Sequence, residues 1–382
     1  MKYRTIFGID SHARTTTICA LVVETGETVK KTFRNNPYEE MKDWMRQFPH
    51  PSVGVYESGC TGFVPSRMLT HECSDVHPIA SSKMPHDDDS AKQKNDRRDA
   101  ERLARWELSG SLKAVWVPDE ETEGLRDLCH AIEDRRKDRT AAYLRVQGLL
   151  CRHDKVWNQR TASGKLKSTW TRGYFAWLDT IELDSEGSQE ALRSAIDAAR
   201  SAKQRYDELV AKAREIAGRS KYAEVIEALC CLKCVQFVTA LTFCAEVGDF
   251  SRFSSGRKIT SYVGLVPRES SSADKQSLGR MTKSGTNMLR KLLVECSWAV
   301  SRCRRNPKKK LDGVDEDVYE RCVSLSNRLH DRRNDMCARK MKPNKANVAS
   351  AAELARFMLE IGREVQDRQA RRASASAATA AA

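Results

Sequence analysis

Residues 3–35, YRTIFGIDSHARTTTICALVVETGETVKKTFRN, decide the fold of the N-terminal third. YRTIFGID is an apolar run that closes on an acid, Asp10, and it reads as a buried strand. TTTICALVVETGETVKKTFRN carries β-branched residues on both sides of a Glu-Thr-Gly-Glu turn, which is a hairpin pattern. Beyond it, PYEEMKDWMRQF is helical, with Pro37 near its start and Met41 and Trp44 on one side. SVGVYESG is a second buried strand that closes on an acid, Glu57. FVPSRMLTHEC is a helix candidate, and DVHPIAS a third short central strand. Three strands in a meander, followed by strands alternating with helices, predict a mixed α/β sheet over residues 1–117.

From Asp119 the pattern changes period. DEETEGLRDLCHAIEDRRKDRTAAYLRVQGLL places Leu125, Leu128 and Ile132 at helical spacing, and Leu149 and Leu150 follow a highly charged middle. A Trp-rich connection (Trp157, Trp170, Trp177) leads to a second segment, Ser188 to Ala217. There Leu192, Ile196, Ala199, Tyr206, Val210 and Ala213 fall in heptad-like positions. Two helices of about 30 residues each span about 45 Å, so an antiparallel coiled-coil arm over residues 118–221 is expected, with an ordinary helical bundle as the alternative. Self-association is expected to run through this arm, with Leu192 and Ile196 in the interface. Residues 222–368 form a third, mainly helical unit. The last stretch, 369–382, contains the low-complexity RRASASAATAAA and is expected to be disordered.

The chain has 382 residues and a formal net charge of +14, spread along its whole length. A balance of this kind implies a polyanionic partner, most simply nucleic acid, with an anionic membrane surface as the competitor. No stretch approaches the ~20 apolar residues of a membrane-spanning helix. The N-terminus runs straight into a strand pattern and does not read as a signal peptide, so the chain is expected to be cytoplasmic, at the nucleoid. Of the thirteen cysteines, most stand alone inside apolar runs and read as reduced core thiols. One C-x-x-C, Cys231 to Cys234, lacks a second pair of ligands and is not read as a metal site.

The chemistry concentrates in carboxylates. KNDRRDAERLARW, residues 94–106, holds Asp96 and Asp99 three positions apart, on one face of a helix. Asp10 and Glu57 each end a strand, and neighbouring strands of an α/β sheet end at the same edge, where a crossing helix can close the set. Four crowded carboxylates repel unless cations neutralise them, and hard oxygen ligands select Mg2+ or Mn2+. Two such ions about 3.5–4 Å apart form the usual clamp for displacement at phosphate. Singly, each acid has a plainer reading: a strand-terminal Asp forms turns, and Asp96 can cap its helix. The tract Asp87, Asp88 and Asp89 is a competing acidic cluster, read as a solvated loop.

GIDSH, VYESG and KNDRRDAERLAR resemble the D, E and D-x-x-D blocks of the insertion-sequence-110 family of DEDD transposases. VWVPDEETEGLRDL is similar to the start of that family's coiled-coil segment. AEVGDFSRFSSGRKITSYVGLVPRESSSADKQSLGRMTKSGTNMLRKLLVECSW is similar to its C-terminal transposase domain, and AAELARFML to its closing helix. The resemblance covers nearly the whole chain in the family order. It implies a ribonuclease-H-like (RuvC-like) N-terminal domain, with Asp10, Glu57, Asp96 and Asp99 as metal ligands. Asn95 stands where the family commonly has Thr, outside the ligand set.

The resemblance also implies a serine nucleophile in the C-terminal domain, and a structured guide (bridge) RNA, encoded by the element, that pairs with target and donor DNA. A recombinase without the phosphate-cradling G-x-x-x-x-G-K-[ST] loop must store the phosphodiester bond covalently, as a phosphoserine or phosphotyrosine ester would. The family spacing of five residues after Pro267 selects Ser272; Ala273 replaces the usual Gly, and Ser271 is the rival. Ser284 reads as an N-cap or phosphate contact. CLKCVQFVTALTFC occupies the place of a helix-hairpin-helix, but Cys234, Val235 and Gln236 replace its glycines, so it reads as a packing helix pair. RCRRNPKKK, residues 302–310, is the better electrostatic contact. The expected enzyme is a DNA recombinase with one composite active site, acting as a homo-oligomer (dimer or tetramer). A hydrolytic junction-resolving nuclease and a non-catalytic nucleic-acid-binding protein are the rivals.

Overall fold

A computed structural model describes residues 2–81, 84–85, 96–269, 278–300 and 308–381. The chain divides into two units, Met1–Asp119 and Glu120–Ala382.

In the first unit the opening stretch folds as β1 (Thr5–Ser11), β2 (Thr15–Val22) and β3 (Thr28–Arg34). Helix α1 (Tyr38–Met45), β4 (Ser52–Glu57), α2 (Val64–Leu69), β5 (Ser74–Ile79) and α3 (Asp96–Leu108) follow. The sheet order is β3-β2-β1-β4-β5, with β1 antiparallel to β2 and parallel to β4. The expected mixed α/β sheet is therefore present. β5 differs from expectation: it is an edge strand, paired in the sheet to β4 alone, with a bridge from Ile79 to Ala114. Its Pro78 has no N–H to donate, and an edge tolerates that.

β1 is buried almost throughout because both of its faces are covered. Phe7, Ile9, Ile18, Ala20, Phe33 and Tyr56 face Met41, Trp44 and Met45 of α1. Ile6, Leu21, Val53 and Val55 face Leu103 and Ala104 of α3.

The second unit opens with α4 (Glu120–Arg152), α5 (Arg172–Leu178) and α6 (Glu186–Ala217). α4 and α6 run antiparallel. Leu125, Cys129 and Ile132 pack with Ala213 and Ala217 at one end, and Ala142, Val146 and Leu150 pack with Leu192, Ile196 and Ala199 at the other. Leu192 and Ile196 are 1% and 5% exposed, spent against α4 and α5 of their own chain. They are therefore not available as an interface between copies. The hairpin closes on itself because the Trp-rich connection supplies apolar cover for them.

Next come α7 (Ala223–Cys231), α8 (Phe237–Val247), α9 (Gly256–Val263), β6 (Pro267–Glu269), β7 (Leu278–Met281), α10 (Asn287–Val300), α11 (Glu316–Ala338) and α12 (Pro343–Ala381). They bury one large core that also takes in the near end of α4 and α6. The stretch from 369 lies within α12, which continues to Ala381. Alanine is the strongest helix former, and Arg372 pairs with Glu224 and Asp315. No described helix is long and apolar enough to cross a membrane.

Candidate active site

Asp10 and Glu57 lie one residue beyond the parallel Ile9–Tyr56 pair, so the two carboxylates leave neighbouring strands at the same edge. Ile9 and Tyr56 point into the α1 face. Strand alternation therefore sends Asp10 and Glu57 to the α3 face. The loops that follow are tied down. Asn36 Nδ2 donates to the His12 carbonyl at 2.9 Å, and the Tyr56 hydroxyl donates to the Gly62 carbonyl at 2.9 Å.

α3 reaches the same edge because β1 has no side chain at Gly8. A Cβ there would lie 1.9 Å from the Ala100 carbonyl oxygen and 2.7 Å from the Ala104 nitrogen. The backbone of α3 thus rests directly on β1, two residues before Asp10. Ala100, Leu103 and Ala104 are buried in that seat, and Asp99 is next to Ala100. Asp96 is the first residue of the same helix, one turn earlier; its side chain is outside the described residues. From β3, Lys30 Nζ reaches Glu101 at 2.5 Å and ties α3 across the sheet.

The carboxylates have cationic or polar neighbours. His12 Nε2 is 3.3 Å from Asp10 Oδ2, and Arg102 donates to Asp99 Oδ1. The oxygens of Asp10, Glu57 and Asp99 do not all come within 4.8 Å of one another. An acid-only donor set on one face of one edge nonetheless suits a hard divalent cation, which would displace the His12 and Arg102 contacts. The described group that does meet that reach is His71, Glu72 and Cys73. It sits before β5, at the opposite end of the strands. There His71 Nδ1 accepts from the Cys73 amide and Arg46 holds Glu72. Asp87, Asp88 and Asp89 lie outside the described residues.

In the second unit, β6 and β7 form an antiparallel hairpin, with Pro267 opposite Met281 and Glu269 opposite Leu278. Ser270, Ser271, Ser272 and Ala273 belong to its connection and lie outside the described residues. The base of the hairpin is interlocked. Gly264 and Gly285 adopt φ of +74° and +71°, and a Cβ on Gly285 would lie 1.9 Å from the Tyr262 carbonyl oxygen. Buried Arg290 donates to the carbonyls of Val263 (3.0 Å) and Ser284 (2.9 Å). The exposed Ser284 hydroxyl donates to the Ser261 carbonyl at 3.1 Å.

Other expectations are adjusted. α8 is almost wholly buried, α7 buries Val225, Ile226, Ala228, Leu229 and Cys231, and Val235 in the turn between them is 0% exposed, as a packing pair requires. Of the run 302–310, residues 302–307 lie outside the described residues. Lys308 spends its ammonium on the Cys230 and Val235 carbonyls, and Lys310 on Glu316. Those two lysines are structural. The buried thiols behave as expected of core cysteines: burial pushes Cys19 up to about 11 and Cys322 up to about 12. Gly8, Arg290 and Gly285 escaped the sequence reading. The signal for Gly8 was the single small residue at strand spacing before Asp10.

Comparison with known proteins reports on both units. Residues 7–153 match a transposase family model of the DEDD, insertion-sequence-110 type, and residues 226–312 match the model described as transposase IS116/IS110/IS902 family. A transposase of Sinorhizobium fredii is 34% identical over 317 residues, covering 81% of this chain and 75% of the relative. The transposase for insertion sequence element IS1533 of Leptospira borgpetersenii is 26% identical, covering 78% and 86% respectively. The transposase for insertion sequence element IS1111A of Coxiella burnetii is 26% identical, covering 62% and 64%.

Proposed function

The chain belongs to the IS116/IS110/IS902 family of transposases and so cuts and rejoins DNA; we propose that it does so with the carboxylates Asp10, Glu57, Asp96 and Asp99 and with Ser272 as nucleophile. The observation that carries the first half is the seating of α3 on Gly8, which brings Asp99 to the edge and face where Asp10 and Glu57 emerge. The four acids would hold Mg2+ or Mn2+, which supplies electrophilic stabilisation of a phosphate and lowers the pKa of an attacking hydroxyl. The protein's own part is to fix the acids on rigid elements.

Ser272 attacks the phosphorus and gives its hydroxyl proton to water; the phosphorus bond to the 3′- or 5′-oxygen breaks, and that oxygen leaves on the cut strand as a hydroxyl, taking its proton from water. The ester so formed conserves the bond energy until a DNA hydroxyl reverses the step. The hairpin base locked by Gly264, Gly285 and Arg290 supports this, because it gives the serine connection a fixed root. An element-encoded guide RNA would select the DNA, consistent with the basic charge. The enzyme would work as a cytoplasmic, nucleoid-associated homo-oligomer, with a coiled-coil arm over 118–221 between a catalytic domain (1–117) and a serine-bearing domain (222–368).

The test is cleavage of labelled DNA with its guide RNA. Cleavage stops in EDTA and returns with Mg2+ or Mn2+, and Asp10→Ala or Asp99→Ala abolishes it while nucleic-acid binding persists. The cut DNA stays covalently attached to protein through denaturing electrophoresis, and Ser272→Ala loses the adduct. An adduct lost only in Ser271→Ala moves the nucleophile by one residue. Sustained cleavage without adduct in the double variant refutes the serine step and leaves a hydrolytic nuclease.

A further inference from the structure

The far end of the α4/α6 hairpin stands apart from the large core of the second unit. Ile132, the last α4 residue in that core, is separated from Leu150 by about 27 Å of helix. At this end the charge pattern changes. Along the two helices several basic side chains are paired one turn away: Lys137 with Asp134, Arg135 with Asp138, Lys203 with Asp207, Lys212 with Glu215. Between 152 and 172 there are Arg152, Lys155, Arg160, Lys165, Lys167 and Arg172 against one acid, Asp154. Among the described residues no carboxylate forms an ion pair with any of these six bases. All but the half-buried Lys155 are exposed.

These charges sit on a built platform. Residues 159–167 form a small antiparallel hairpin: the Lys167 amide donates to the Gln159 carbonyl at 2.8 Å, and the Thr161 amide to the Lys165 carbonyl at 2.8 Å. A bridge joins Arg160 to Leu166, and Gly164 makes the turn at φ +78°. Trp157 Nε1 donates to the Lys167 carbonyl at 2.9 Å and so fastens the hairpin to an aromatic cluster. In that cluster Trp157 meets Tyr174 and Trp177, and Trp170 stacks on Tyr143 at 3.6 Å. Strand alternation puts Lys165 and Lys167 on one face of the ribbon and Arg160 with Leu166 on the other. A rigid two-stranded ribbon, cationic on both faces, fits between the two phosphate rows that border a duplex groove.

We propose that the hairpin at residues 159–167, with Lys155 and Arg172 beside it, is a contact surface for the phosphate backbone of duplex DNA, remote from the large core of its own unit. It rests on the DNA-cutting function and adds a second point of grip to it. An unpaired base at a phosphate releases a condensed counterion, so each contact steepens the salt dependence of binding by about 0.9 in logarithmic slope.

The experiment uses the full-length protein in EDTA, where no strand is cut, and a fluorescein-labelled duplex of arbitrary sequence. Anisotropy titrations across a salt series compare the wild type with Arg160→Gln/Lys165→Gln/Lys167→Gln. The triple variant is expected to lower the slope by about 2.7. Between about 50 and 200 mM salt the wild type should then lose roughly 40-fold more affinity than the variant. Lys137→Gln/Lys203→Gln/Lys212→Gln removes the same charge from paired positions and should leave the slope near wild type. Equal effects from the two triples would show that net charge alone acts, and would overturn the proposal. An unchanged duplex slope overturns it as well, whether binding to a structured RNA hairpin falls instead or sedimentation velocity shows altered self-association. Failure of the adduct test on Ser272 leaves these slopes untouched, so the two readings fail separately.

Discussion

Replacing Gly8 by alanine should separate the carboxylates without touching one of them. The added Cβ would lie 1.9 Å from the Ala100 carbonyl oxygen, 2.7 Å from the Ala104 nitrogen and 3.0 Å from the Ala100 carbonyl carbon. All three are backbone atoms of α3, so no rotamer change relieves the clash. Ordinary van der Waals contact requires α3 to lift by about 1.5 Å, and Asp99 moves with it. Overpacking of this kind costs about 1–3 kcal/mol, which lowers the melting temperature by roughly 3–12 °C for a unit of this size. A misplacement of about 1 Å near reacting groups costs about 100-fold in rate, so cleavage should fall at least that far at a temperature where the variant is folded. Gly54→Ala is the control. Its Cβ would meet side-chain atoms of Val76 at 2.9 Å and Ile9 at 3.2 Å, on the face away from α3. It should lower the melting temperature and retain cleavage. The assays are thermal melting, DNA cleavage in Mg2+, and amide exchange across residues 96–108. Wild-type cleavage and wild-type protection of α3 in Gly8→Ala would refute the seating of that helix as the device that assembles the site.

Gly285→Ala should unlock the root of the serine hairpin, because its Cβ would lie 1.9 Å from the Tyr262 carbonyl oxygen at a left-handed φ; adduct formation should fall, while divalent-cation binding, measured by calorimetry, stays. Arg290→Met strands the Val263 and Ser284 carbonyls that its guanidinium now satisfies, at about 1–3 kcal/mol each, and equal melting curves for variant and wild type would refute the clamp. Lys30 and then Arg105 hold Glu101 below the ordinary carboxylate range. A depressed folded-state pKa contributes stability above the unfolded value of about 4.3, and that stability is lost as pH falls through the folded value. The melting difference between wild type and Glu101→Gln should therefore be present at neutral pH and vanish in acid, and a difference that ignores pH would refute the pairing. A thiol reagent should label Cys60 and Cys151 in the native protein, whereas Cys19, Cys129 and Cys322 should wait for denaturant.

Much of this was legible in the sequence. The apolar runs that become β1 and β4, the Glu-Thr-Gly-Glu hairpin and the i,i+3 spacing of Asp96 and Asp99 are local patterns, and period and burial are local consequences of them. The heptad at Leu192, Ile196 and Ala199 likewise announced which face of α6 would be buried. The resemblance of the D, E and D-x-x-D blocks then named a family, and the comparisons place the chain in it.

What burial pattern could not say was against what. Leu192 and Ile196 fit an interface between copies as well as they fit contact within one chain, and only the closed hairpin of α4, α5 and α6 decides for the second. The shortness of DVHPIAS did not reveal that it would lie at the sheet edge. The run ending in Lys308 and Lys310 looked like solvated charge until folding brought the Cys230 and Val235 carbonyls to one ammonium and Glu316 to the other. Arg290 lies in an apolar helix and shows no motif; it matters because Val263 and Ser284, distant in sequence, present carbonyls to it. Types of residue and their local period belong to the sequence alone. Adjacency belongs to the tertiary structure, because closing a loop over tens of residues is settled by the sum of the packing at both ends, of which each segment carries only half. Gly8 is the plainest case: one missing side chain in a strand acquires its meaning only from the helix that lies down on it about ninety residues later.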